Sequence, residues 1–217
     1  MQHFYKKRES IELDIKAMYA NHISVISRYD FGDEEVHQML DRFIPQIVEE
    51  IHEFNYEINQ VTNNPEYNQT EKFGYISNAS KELLDIILYL ISINSTLLDK
   101  YMDNEFPQTS NINYNRTLLL ANDKSINDYD RLNYIKTKLN EGLVECMGLS
   151  RRSLPNRKYH QDKEEISEEE QNKIVNNLFY IIHRTIVLLL DVLFNNLVYT
   201  KNLDSVLNKI QDVVKNK

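Results

Sequence analysis

Tryptophan is absent from this 217-residue sequence, cysteine occurs once, at Cys146, and glycine and proline number only four each. A lone cysteine excludes an internal disulfide framework, and no Cys/His cluster of zinc-binding spacing surrounds it, which fits a reducing cytoplasm. So few turn-forming residues, with little apolar–polar alternation, argue against a strand-rich fold and for helices. A basic stripe is also missing. With net charge −8 the chain is a poor candidate for electrostatic nucleic-acid binding. No apolar run is uninterrupted: the most apolar stretch, residues 178–199, contains His183, Arg184, Asp191, Asn195 and Asn196, which would be costly within a bilayer. The basic start, Met1 to Arg8, leads into Glu9 and Glu12 rather than an apolar core, so no secretory leader is expected. Abundant Asn, Ile, Lys and Tyr suggest an AT-rich genome, such as that of a low-GC bacterium or its phage.

What the sequence does contain is acid at helical spacing. Glu50 and Glu53 lie three apart in an apolar run with Ile47, Val48, Ile51 and Phe54, and Glu82 and Asp85 repeat the arrangement among Leu83, Leu84, Ile86, Ile87 and Leu90. Positions i and i+3 are about 60° apart on one helix face, so each run carries a short acidic blade. If the two helices pack antiparallel, the four carboxylates face one another. Such a set repels itself unless protons or a cation offset its charge. The counter-ion that suits it is Mg²⁺, a hard cation that takes carboxylate oxygens and is completed by water and phosphates; Mn²⁺ can substitute. The alternative is that Glu49, Glu50, Glu53 and Glu57 form an ordinary solvated face.

The pattern Glu49-Glu50-x-x-Glu53 followed by Glu82-x-x-Asp85 resembles the signature of the all-α nucleoside triphosphate pyrophosphohydrolases, the MazG-like and dimeric dUTPase superfamily, over residues 43–98. The resemblance implies an all-α, MazG-like antiparallel helical bundle. It also implies Mg²⁺-dependent hydrolysis of a (d)NTP to (d)NMP and pyrophosphate in nucleotide-pool control. Glu50, Glu53, Glu82 and Asp85 would hold the metal, and Glu50 or its neighbour Glu49 would orient the attacking water. Asn94, nine residues after Asp85, matches a polar substrate-reading position, with a satisfied core amide as the alternative. Lys201-Asn202 resembles a late Lys/Asn phosphate motif, as does Asn208-Lys209, but the Arg-rich continuation is missing. Arg151, Arg152, Arg157 and Lys158 could grip phosphates, or pair with the acidic run after them.

Two other classes are weighed against this one. Glu34-x-x-His37 and Glu49-x-x-His52 have the spacing of di-iron carboxylate bundles, but those motifs must sit on facing helices, and these fall along what reads as one interrupted helix. His183 has no such partner and reads as a hydrogen-bonded core residue. The remaining alternative is a catalytically silent helical binding or regulatory protein of the same fold.

We read residues 1–217 as a single all-α domain: a metal-binding helical core at 33–102, a long insertion or mobile segment at 103–165 and extra C-terminal helices at 166–217. Within it, Ser10 can cap a first helix running towards Ile26. Pro45 predicts a kink or break, placing it in the first turn of the helix that carries Glu50 and Glu53. A loop is expected over 62–77, with Asn78 or Ser80 capping a second helix that runs to about Met102. A shorter helix over 129–147 closes at Gly148. Ser167 and Glu170 have capping-box spacing, so a long helix begins there and, apolar nearly all round, belongs in a bundle centre or subunit interface. A closing helix covers 203–214. The uncovered apolar faces favour a homodimer or homotetramer acting on a nucleoside triphosphate, without nucleic-acid or membrane partners.

Overall fold

The computed structural model of the protein describes residues 18–20, 22–23, 36–102, 137, 140 and 167–193. Among the described residues there is no strand. Three long helices dominate: α1 (Val36–Asn63), α2 (Gln69–Tyr101) and α3 (Glu168–Val192).

α1 buries Met39, Leu40, Ile47, Phe54, Ile58 and Val61, whose three-, four- and seven-residue separations define one face. It runs through Pro45, where a kink or break was expected, and Pro45 lies in the helix interior rather than in its first turn. Proline in a helix interior costs one backbone hydrogen bond and crowds the preceding turn. Here Pro45 lies on the exposed side, and the apolar residues on either side of it share the same buried face, so packing keeps the helix whole. At the far end Asn64 Nδ2 donates to the Gln60 carbonyl at 2.8 Å and the Thr62 hydroxyl to that of Ile58 at 3.2 Å, side-chain bonds added to the carbonyls of the last turns.

α2 begins much earlier than Asn78. Asn68 is its N-cap: Oδ1 accepts from the Thr70 and Glu71 amides at 2.9 and 3.0 Å, and the Glu71 carboxylate accepts from the Asn68 amide at 2.8 Å. This capping box moves the helix start to Gln69 and shrinks the predicted loop to residues 64–68. At the other end α2 stops at Tyr101, within one residue of expectation.

α2 is the central element, packed against both α1 and α3. Every residue from Leu90 to Leu98 is buried, which a helix achieves only with neighbours on all sides. Those neighbours are α1, α3 and the helical residues at 18–20 and 22–23. α3 presents Val175, Leu178, Phe179, Ile182, Ile186, Leu189 and Leu190 to this core. One α3 stretch, Asn172–Leu190, is long and apolar enough to cross a membrane by length and composition, but 56% of it is buried inside the fold.

Apart from Ser95, whose hydroxyl has no partner, the buried polar side chains among the described residues are satisfied in two ways. Ser80, Ser92, Thr96 and Thr185 each donate to the carbonyl four residues earlier. Tyr19, Asn94 and His183 form a buried hub instead. Asn94 Nδ2 donates to the Tyr19 hydroxyl at 3.2 Å and to the Phe179 carbonyl at 3.1 Å, and the Tyr19 hydroxyl lies 2.9 Å from His183 Nδ1. His183 is thus a hydrogen-bonded core residue, its ring stacked 6.0 Å from that of Phe179. Burial holds the Tyr19 phenol far above its usual range and lowers the His183 pKa. A partly buried histidine, His22, lies 2.7 Å by Nε2 from Ser92 Oγ. Because that hydroxyl donates to the Leu88 carbonyl, it accepts from His22 Nε2–H, which leaves Nδ1 unprotonated.

The expected helix starting at Ser10 is described only at residues 18–20 and 22–23, which are helical. The helix expected over 129–147 is described only at Thr137 and Asn140, both helical. The basic segment at 151–158, the closing helix at 203–214 and most of the 103–165 insertion lie outside the described residues.

Candidate metal centre

The short connection at 64–68 folds α2 back along α1, and the contacts give the direction. Tyr75 lies beside Glu57 near the connection, while Tyr89 meets Phe43 at the other end, ring centroids 5.9 Å apart. Rising numbers on α2 therefore match falling numbers on α1. The antiparallel packing sets the acidic blades opposite each other. Beneath them the helices are joined by wholly buried Phe54, Leu83 and Ile86, so the carboxylates project along the edge of a close-packed seam.

Glu50, Glu53 and Glu82 each offer a carboxylate oxygen, and these oxygens lie within 4.8 Å of one another. Glu50 and Glu82 are partly buried and Glu53 is exposed, so the cluster opens to solvent on the Glu53 side. Asp85 is the fourth member expected. It stands outside the closest trio but near enough for its charge to act on both Glu50 and Glu82.

The electrostatics follow from crowding like charges. Glu50 is pushed up from 4.5 to about 7, first by burial, then by a hydrogen bond to Glu82 and the charges of Asp85, Glu82 and Glu53. Glu82 is also raised, by burial and by Glu53, Asp85 and Glu57, although the hydrogen bond from Glu50 opposes the shift. Near neutrality the pair thus shares a proton, Glu50 donating and Glu82 accepting, as two carboxyls must when nothing else offsets their charge. A divalent cation could replace that proton. The donor set, all carboxylate oxygen with no sulfur or imidazole, suits a hard ion such as Mg²⁺ or Mn²⁺ rather than zinc or copper.

Sequence reasoning gave three neighbours no part in the site, Glu57 having been read only as part of a solvated face. Glu57, one turn after Glu53, has a buried Oε2 with no hydrogen-bond partner, and its charge reaches Glu82. Its spacing, seven from Glu50 and four from Glu53, was the available signal. Tyr89, four residues after Asp85, has a phenol held above its usual range by burial and by Glu50, Asp85 and Glu49. Tyr75, seven before Glu82, borders the connection end. No periodicity argument ranks one tyrosine of fourteen above another.

The remaining candidates are dispersed. Glu49 is exposed, beside the cluster on the Tyr89 side. Asn94 lies about 13 Å further along α2 than Asp85 at helical rise. It is fully buried in the hub, with its amide hydrogens on Tyr19 and Phe179 and its Oδ1 without a partner. His52 is exposed, and His37 and His52 ride the same α1, so the two histidines do not sit on facing helices; Glu34 lies outside the described residues. Lys201, Asn202, Asn208 and Lys209 lie outside the described residues. Compared with known proteins, the chain matches no family model, and no significant match appears among curated proteins or solved structures.

Proposed function

We propose that this chain is a MazG-like, Mg²⁺-dependent nucleoside triphosphate pyrophosphohydrolase of the cytoplasm, converting a (d)NTP to (d)NMP and pyrophosphate. The observation that carries the reading is the convergence of Glu50, Glu53 and Glu82 within 4.8 Å across two antiparallel helices, with Asp85 alongside. A solvated acidic face keeps its carboxylates apart and ionised. This one brings them together at a seam and raises the pKa of two of them, an arrangement that is stable at neutral pH only when a proton or cation intervenes.

On this reading Glu50, Glu53, Glu82 and Asp85 hold the ion. When bound, Mg²⁺ offsets phosphate charge and makes water a better nucleophile near neutral pH. The protein's own part is to orient and to move a proton. Glu50 is at the meeting point of the four acids, where its carboxylate is placed to orient the attacking water and receive its proton. Glu49 lies at the rim, where it can position that water from the side. The exposed Glu53 edge leaves room for a polyphosphate to approach. The fold is expected to act as a homodimer or larger homo-oligomer.

The test is pyrophosphate release from a panel of dNTPs and NTPs with Mg²⁺, with Mn²⁺ and with chelator. Metal-dependent release that prefers one or a few bases supports the assignment and names the substrate. No release from folded protein across the panel refutes it.

A further inference from the structure

The acidic seam ends, at the 64–68 connection, in a pair of aromatic rings. Tyr67 and Tyr75 stack nearly parallel, centroids 5.6 Å apart with a 10° interplanar angle. The two phenols are near enough for Tyr67 to raise the Tyr75 pKa. Tyr75 packs against the apolar core, and Tyr67, partly exposed, is not among the residues that do.

The connection that carries Tyr67 is tied at several points. Its amide donates to the Asn64 carbonyl at 3.2 Å, Lys72 Nζ donates to the Pro65 carbonyl at 2.9 Å, and the next residue is the doubly bonded cap Asn68. A ring held this way loses little conformational freedom when a planar group settles on it. Tyr75 shares the α2 face of Glu82, two turns away or about 10 Å at helical rise. That is comparable to the reach from the phosphates of a nucleotide to its base. The rings also adjoin Glu57, which continues the acidic row towards them.

We infer that Tyr67, backed by Tyr75, is the stacking platform for the nucleobase of the substrate, whose phosphates lie over the Glu50–Glu53–Glu82 cluster. This rests on the pyrophosphohydrolase reading and assigns it a substrate-orienting surface. Stacking tolerates any base, so the platform contributes affinity and direction while base choice is made elsewhere.

The experiment is calorimetric titration of the full chain in Mn²⁺ with two probes: α,β-imido analogues of the four dNTPs, and inorganic tripolyphosphate, which carries phosphates without a base. Tyr67→Leu should weaken nucleotide binding roughly tenfold, within the range for loss of one base–aromatic stack. It should leave Mn²⁺ and tripolyphosphate binding unchanged, and Tyr67→Phe should bind as the wild type does. Wild-type nucleotide affinity in Tyr67→Leu overturns the platform while leaving the metal site standing. Equal loss of both probes overturns it in favour of a purely structural role. If the wild type binds neither probe, the pyrophosphohydrolase reading falls and takes this inference with it.

Discussion

Replacing Glu50 by glutamine tests the proton-or-cation reasoning without requiring turnover. Glutamine keeps the shape of a protonated carboxyl and can still donate to Glu82, but never becomes charged. In the wild type without metal, Glu50 has a folded pKa of about 7 against an ordinary 4.5. A folded value above the unfolded one means the favourable contribution is complete below about 4.5 and is lost as pH rises through 7. Full conversion of that difference would be roughly 3 kcal/mol. The carboxyl keeps much of its water, however, so screening reduces the effect to the order of 1 kcal/mol. For a chain of this size that is about 2–4 °C in Tm. Thermal melts in chelator should therefore find Glu50→Gln about 2–4 °C more stable than wild type at pH 8, the gap closing towards pH 4.5. Saturating Mg²⁺ or Mn²⁺ should reverse the order, because only the wild type retains all the anionic ligands. An ion at one hundred times its Kd adds about 2.7 kcal/mol. Superimposable pH profiles in chelator, or an equal metal response from both proteins, would refute the argument.

Removing one ligand should abolish pyrophosphate release without unfolding the bundle: Glu53→Ala and Asp85→Ala should keep wild-type helicity by circular dichroism and lose Mn²⁺ affinity by calorimetry. His22, lowered to about 4 by burial, should penalise the folded state as pH falls from 6.5 towards 4. Over that window wild type should lose on the order of 2 kcal/mol relative to His22→Gln, read from urea denaturation. Gly74 lies within α2 where an added Cβ would meet nothing within 4 Å. Gly74→Ala should therefore stabilise by about 0.5–1 kcal/mol, seen as a higher denaturation midpoint at unchanged slope. Tyr19→Phe deprives Asn94 and His183 of a buried partner and should cost about 1–3 kcal/mol in the same assay.

Periodicity made the helical class and the acidic blades legible, because an i, i+3 carboxylate pair beside an apolar stripe has one reading on a helix. The end of α2 and the start of α3 were legible for similar reasons. Pro45 misled because an intrinsic preference was weighed without the apolar face that continues on both sides of it. The start of α2 was missed although its signal was written in Asn68 and Glu71; the surrounding Asn residues and Pro65 favoured a loop when counted by composition. Glu57 was visible by spacing alone. The roles of Tyr19, Tyr67 and Tyr89 depend on which helix neighbours which, a property no local pattern carries. The Asn94 hub belongs to the same group, since it joins residues separated by 75 and 85 positions.

That hub bears on how α3 is aligned. Leucine and isoleucine seams are forgiving: an apolar helix displaced along its partner by one turn, about 5.4 Å, finds equivalent contacts. The bonds from Asn94 to the Phe179 carbonyl and through Tyr19 to His183 have no such equivalent, because each needs one partner at one height. A slipped α3 would leave several polar groups buried without partners, at about 1–3 kcal/mol each. The three side chains therefore select a single vertical alignment among α2, α3 and the segment carrying Tyr19. Since Glu82 and Asp85 sit on the same α2, that alignment also sets which surface the remainder of the bundle offers to the acidic seam.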